Sequence, residues 1–448
     1  MPAYPELAAI RLGYGLSPWA DPPADPVAWV ESVASAAPDG DAFSMARDYL
    51  PHRTRYADLN RQGAQQDPAA LQAVKDIMRD IGLRAPRIRV ARAVGDGGFG
   101  ERLVQFWADH FTVTAGNLFD SISAAAFVDE AIRPHLSGRF ADLMVAAETH
   151  PRMIVYLDQA LSVGPSSPAG KRGRGVNENL AREMIELHSL GAGSGYSQRD
   201  VRQLALLLTG LTFRPNRDAT AFFNKNWAEP GAFQVLGKTY DRGEGQGAIL
   251  QAIHDLADHP ATARHIARKL AVHFVSDDPP DSLVKRLAQV FQDSGGDLPS
   301  LYLALAEAPE LQDCFRQKVR QPFDYIVAAL RACGIRPGNI MALDQPVFQN
   351  QLLSGMAGMG MRWGSPRGPD GWPEDAAAWV TAQGLAGRID WAMRRLPKLR
   401  PDLPDPREVL QTALGDTASD TLRQAVPRAE SPAEGLALIL ASPDFNRR

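Results

Sequence analysis

The sequence predicts an all-α chain, mainly helical and built of many helices, with one small β-hairpin or irregular insertion near residues 220–241. Three observations predict it. First, side chains recur at helical spacing: Leu103, Phe106, Trp107, His110 and Phe111 fall at i, i+3, i+4, i+7 and i+8 and form one stripe. Second, prolines and capping residues precede many of these runs and glycines close them. Third, the helical rhythm breaks over 214–247. There Phe222, Phe223, Trp227, Phe233 and Val235 alternate with polar and turn residues around Glu229-Pro230-Gly231.

Taken in order, residues 1–60 read as helices and loops, with Pro18, Pro22, Pro23 and Pro26 ahead of a helix at Val27. One helix is expected over 68–82 and a further one over 85–93. The glycines Gly95, Gly97, Gly98 and Gly100 then mark a loop, without the spacing of a phosphate cradle. Helices follow over 102–111, 123–132 and 140–148, and His150-Pro151 opens another. Segment 162–175 is the most loop-like, rich in Gly, Ser and Pro and carrying Lys171, Arg172 and Arg174. It reads as a solvated connector or as a basic loop over an anionic site.

The loop leads into a helix over 177–190, with Asn177 as N-cap and Gly191 as its left-handed C′ residue. On its wheel Glu178, Asn179, Arg182, Glu183 and Glu186 share one arc. His188 falls among the apolar residues opposite. Ser197 to Asp200 has the form of a capping box ahead of the run 201–211. After the insertion, helices are expected over 248–256, 260–274, 281–294, 298–308 and 323–333. Residues 355–372 are read as irregular, 376–396 as helix, and the end as short helices at 406–414, 421–426 and 432–440. No fixed-period repeat and no long disordered linker divides the chain, so 1–448 is read as a single integrated domain.

A net charge of −4 gives no nucleic-acid signal, and no apolar run is long enough for a membrane span. Cys314 and Cys333 are too few for a disulfide scaffold and read as buried thiols, although a pair stays open. The N-terminus lacks a basic stretch followed by an apolar one, so a soluble cytoplasmic protein is expected, with co-export alongside a partner left open.

Glu178, Arg182 and Glu186 are spaced by four, so Arg182 can bridge both carboxylates. This is a surface ladder, a buried polar network fixing helix register, or one wall of a cleft. In the cleft reading Glu183 or Glu186 transfers protons, Arg182 clamps an anion, and Asp109 or His110 faces them from the 102–111 helix. Trp107, Asn177, Glu178, Asn179, His188 and Tyr196 are candidate binding residues. So is Trp372, on a loop whose path Gly371 and Pro373 restrict. His259, His265, Arg268 and Lys269 lie along one helix as a solvated face or an anion site. Glu183 and Glu186 are a carboxylate pair three apart, but neither Asp109-His110 nor Glu186-Leu187-His188 has the spacing of a histidine–carboxylate metal site, so no cofactor is expected. A transition metal is the minor alternative, should His110 and His188 meet in the core.

The same residues carry a resemblance. Asn177-Glu178-Asn179, Ala181-Arg182-Glu183, Glu186-Leu187-His188 and Leu190-Gly191 are joined by Gly195-Tyr196-Ser197-Gln198, Asp200-Val201 and Thr209 to Phe213. Arg11 to Gly15, Phe106 to Thr112, His150 to Asp158, His259 to Leu270 and Gly371-Trp372-Pro373 add ordered matches. Together they resemble the bacterial DUF1800 family over nearly the whole chain. The resemblance implies no established activity. It also implies a second reading, a non-catalytic helical partner or chaperone of a DUF1501-like protein of the phosphatase and sulfatase superfamily.

Overall fold

Most helix starts follow from local chemistry. Pro26, Pro68, Pro151, Pro260, Pro406 and Pro432 each occupy the first helical position, where the missing N–H costs nothing. The side chain before each, Asp25, Asp67, His150, His259, Asp405 and Ser431, accepts from the backbone N–H groups left over. These elements come from a computed structural model that describes residues 3–36, 40–63, 67–95, 98–170 and 175–448. The fold is mainly helical with two small two-stranded antiparallel sheets.

The insertion resolves into two pairings. Leu211–Thr212 (β1) pairs with Phe222–Phe223 (β2), and Ala232–Val235 (β3) with Lys238–Asp241 (β4). Leu236 and Gly237, both at positive φ, make the two-residue turn between β3 and β4. The Ser197 capping box is present in both directions, opening the helix Gln198–Leu208.

Several expectations need correction. The helices expected over 68–82 and 85–93 are one, Pro68–Val94, with Pro86 inside it. Pro86 gives up one backbone bond. Its i−4 neighbour is Gly82, and Val74, Met78, Ile81, Ala85, Val90 and Val94 bury one continuous face on either side. The helix expected over 177–190 is Asn179–Glu186; the chain then makes a tight turn, with the Gly191 N–H on the Ile185 carbonyl. Asn177 still caps from one position earlier, its Oδ1 accepting from the Asn179 N–H at 2.7 Å. The helix expected over 376–396 is broken into shorter pieces at 380–381 and 391–395. The segment read as irregular, 355–372, begins inside a short helix, Ser354–Gly358. Cys314 and Cys333 are both buried free thiols. Gly97 and the basic residues Lys171, Arg172 and Arg174 lie outside the described residues.

Apolar side chains gather in two cores. The larger draws on residues from Ala8 to Cys314, and the second on Tyr14, Val90 to Val94 and Val319 to Phe445. The helix Gly98–His110 runs at their boundary, and only Gln105, Ala108 and Asp109 on it escape full burial. Its charges are matched inside the protein. Glu101 takes a two-pronged contact from Arg133 at 2.7 and 2.8 Å, and Arg102 pairs with Asp324 of the second core. Arg448 approaches the same Asp324 at 3.3 Å. Lys318 holds Asp277 at 2.7 Å and Glu374 at 2.9 Å.

This charge chain makes a strong prediction. Asp324→Ala leaves the buried guanidiniums of Arg102 and Arg448 without their carboxylate, at a cost of about 3–5 kcal/mol. Denaturant unfolding checks it, and a loss below about 1 kcal/mol would mean that water reaches the seam.

Candidate functional site

Asp109 stands at the last turn of the Gly98–His110 helix, where the half-open stripe ends. The loop bearing Trp372 comes down onto it. The Trp372 N–H donates to both Asp109 carboxylate oxygens, at 3.0 and 3.2 Å. Gly371 makes the approach possible. It sits at φ +83°, and a Cβ there would stand 2.8 Å from the Asp109 carboxylate. Burial pushes the Asp109 carboxyl up to about 7. The Trp372 N–H and Lys269 oppose the rise, while Glu374 and Asp370 add to it.

Lys269 faces this carboxyl from the helix Pro260–Phe274, one turn after His265 and one before His273. No carboxylate lies within ion-pairing distance of it among the described residues. Burial lowers its pKa, against the pull of Asp109, Glu374 and Asp370. Asp109, Lys269, His110, His265, Asp370 and Trp372 share a cleft of about 350 Å³, which Glu374 also lines. Burial would raise Glu374, but His273, 2.6 Å away, and Lys318 hold it well below the usual carboxylate range.

The two cleft histidines have an internal task. His110 Nε2 lies 3.2 Å from the His188 carbonyl and His265 Nε2 lies 3.0 Å from the Leu187 carbonyl. Both therefore donate N–H groups to carbonyls that the end of the Asn179–Glu186 helix leaves open. Burial lowers both pKa values, His265 to about 4, and keeps the rings neutral. His188 itself is sealed, with Nδ1 2.7 Å from Glu148. His110 and His188 do meet, with ring centroids 6.0 Å apart. Among the described residues, however, no three His, Cys, Asp or Glu side chains converge as a metal site.

The polar arc sits apart from this centre. Arg182 reaches Glu186 at 3.2 Å, Glu178 at 3.4 Å and Gln198 at 3.0 Å. Glu178 also takes Arg202 of the next helix at 3.0 Å. None of these side chains lines the Asp109 cleft. Glu183 is half-buried, and burial raises its pKa; Glu186 and Asp370 add to the rise and Arg182 opposes it. Tyr196 is half-buried beside Glu186, and Asn179 is exposed. Trp107 is fully buried, its N–H on the Tyr302 hydroxyl at 2.7 Å. Thus Asp109, His110 and Trp372 come together. The described part of the 162–175 loop lies against 226–229, with the Gly164 N–H on the Trp227 carbonyl and the Ser166 N–H on Glu229.

Sequence reasoning missed the Lys269–Asp109 opposition and the roles of Asp370, Glu374 and His273. One signal was present: two carboxylates flank the rigid tripeptide in Asp370-Gly371-Trp372-Pro373-Glu374.

Fold and site together define a mainly helical protein with a half-buried carboxyl and lysine facing each other across a cleft at the junction of its two cores. The chain belongs to the DUF1800 family, described as a protein of unknown function, whose sequence model matches residues 8–447. Neither the curated proteins nor the solved structures contain a match. No helix among the described residues is long and apolar enough to cross a membrane.

Two outcomes test the Asp109 environment. Gly371→Ala should lift the Trp372 loop, admit water and bring the Asp109 pKa down from about 7, as read by carbon NMR of the carboxyl against Asp109→Asn. A group raised on folding contributes stability below its unfolded pKa and loses it as pH climbs through the folded value. The stability of the wild type relative to Asp109→Asn should therefore fall between roughly pH 4 and pH 7. A flat difference in that window would refute the assignment.

Proposed function

We propose that the chain is an enzyme of the general acid–base type, acting on a small molecule in the Asp109–Lys269 cleft. The observation that carries this reading is a half-buried carboxyl with its pKa near 7, opposite a desolvated lysine without an ion-pair partner. Asp109 gives and takes the proton, and Lys269 positions or stabilises developing negative charge. His110 and His265 fix the wall, and Trp372 keeps water off Asp109. Glu183, raised by burial and within reach of the Asp370 charge, stands outside the cleft lining and is kept as a second proton-transfer group on that charge contact alone. Arg182 and Glu186 brace the helix that carries it.

The test is competitive acetylation of the folded protein across pH, mapped by mass spectrometry, with exposed Lys225 as reference. Lys269 should titrate at lower pH than Lys225 and move further down in Asp109→Asn, which removes a neighbouring negative charge. If Lys269 titrates with Lys225 in both proteins, the cleft is solvated and the acid–base reading fails. We also infer that 1–448 works as one domain, because Asp109 and Lys269 come from elements of the first core and Trp372 packs on the second. A single calorimetric transition supports this, and two separate ones overturn it.

A second reading, binding to a DUF1501-like partner, has one observation in its favour. Leu385, Ile389 and Met393 are 37, 44 and 46% exposed and spaced by four along 382–395. If this stripe is the interface, Ile389→Asp should abolish co-elution with such a protein. Co-elution unaffected by the substitution removes the stripe from consideration.

A further inference from the structure

On the other side of Trp372 lies a second cavity of about 190 Å³, well beyond the space of a single water. It shares Asp109 and Trp372 with the cleft. Most of its wall is apolar: Ile88, Val113, Phe323, Met356, Met361 and Trp363 line it. Two methionines and two tryptophans give it a surface that suits a hydrocarbon or aromatic body.

One wall of this apolar space carries Arg89, on the Pro68–Val94 helix. Its Nη2 donates to Gln105 Oε1 at 2.8 Å, the one hydrogen bond it makes among the described residues. A guanidinium has five N–H donors, so four remain for a ligand or water. No carboxylate among the described residues lies within 4 Å of it. Of the nearby acids, Glu101 and Asp129 are already engaged, and Asp109, which also lines the cavity, holds the Trp372 N–H. Arg133 takes Glu101 at 2.7 Å and Asp129 at 3.0 Å, while Arg92 takes Asp129 at 3.6 Å. Asp41, 3.9 Å from Arg92, has a side chain that is 92% exposed and is screened by water. Three guanidiniums therefore share two buried carboxylates, and Arg89 carries the excess charge. Burial and the neighbouring Arg133 press its pKa below the ordinary value, as expected of a desolvated cation without its own counter-ion.

We propose that this cavity binds a small amphiphilic carboxylate, its anionic group on the Arg89 guanidinium and its apolar body against Met356, Met361 and Trp363. A planar guanidinium fits a carboxylate in two-pronged fashion, and the Gln105 amide nitrogen can add a donor while its oxygen accepts from Arg89. The proposal stands apart from the acid–base reading of the cleft, because it concerns binding and uses a different cation.

The probes are octanoate and octan-1-ol, which share an apolar body and differ in charge. Tryptophan fluorescence and thermal shift of the full chain at pH 8 read the binding. Octanoate should bind saturably and at least tenfold tighter than octan-1-ol, and added salt should narrow the gap. Arg89→Gln should erase the preference, and Arg89→Lys should keep part of it. The Lys269 titration that tests the proton-transfer reading uses neither octanoate nor an Arg89 variant, so either reading can fail without the other. Equal binding of the two probes by the wild type overturns the proposal without recourse to any variant. So does absence of octanoate binding up to its solubility, or an unchanged preference in a folded Arg89→Gln protein.

Discussion

A chain of buried charges links the two cores, and the rest of the molecule is arranged around it. Arg102 and His273, from elements of the first core, meet Asp324 and Glu374 of the second, and Lys318 ties Glu374 to Asp277. Isolated charges at such a depth would cost several kcal/mol each. Matched as they are, each one requires the others to be in place. Apolar packing alone would let the two cores slide against each other. A sequence of specific ion pairs admits one register.

That register sets the chemistry next to it. Glu374 is pinned by His273 and Lys318, and the Ala376 N–H is held by Asp277 at 2.7 Å. The residues just before them, Gly371 to Pro373, are thereby delivered onto Asp109. Desolvation of Asp109 is thus an outcome of where a loop is anchored, and Asp109 is coupled to the seam through its neighbours in sequence. The histidines of the cleft contribute in a different way. By donating to the Leu187 and His188 carbonyls they close the end of a short helix, and their low basicity leaves Lys269 and Arg268 as the cations of the cleft.

Much of the architecture was legible because it is written in local terms. Proline at a first turn, Asp or Ser before it and apolar spacing of three and four identify helices such as Phe140–Glu148 and Pro406–Leu414 to the residue. Errors arose where tertiary packing overrode a local signal. Pro86 reads as a break, yet a long buried face carries the helix through it. The 177–190 wheel placed His188 on a helix that has already ended. At the site, Asp109, His110 and Trp372 could be singled out from aromatic and charged motifs. Their opposition to Lys269, 160 positions from Asp109, could not, because nothing local encodes which helices face one another. The Glu178–Arg182–Glu186 arc drew attention through its charge density, and that density joins it to Gln198 and Arg202 of the following helix.

The loop that covers Asp109 is fastened at two places to one short stretch of chain. The Ala115 N–H holds the Gly364 carbonyl at 2.8 Å, and Asp109 holds the Trp372 N–H. The roof and the wall of both cavities thus hang from the same seven residues, 109–115. A change anywhere in that stretch that shifts its backbone would therefore displace the Trp372 loop and disturb the cleft and the apolar cavity together.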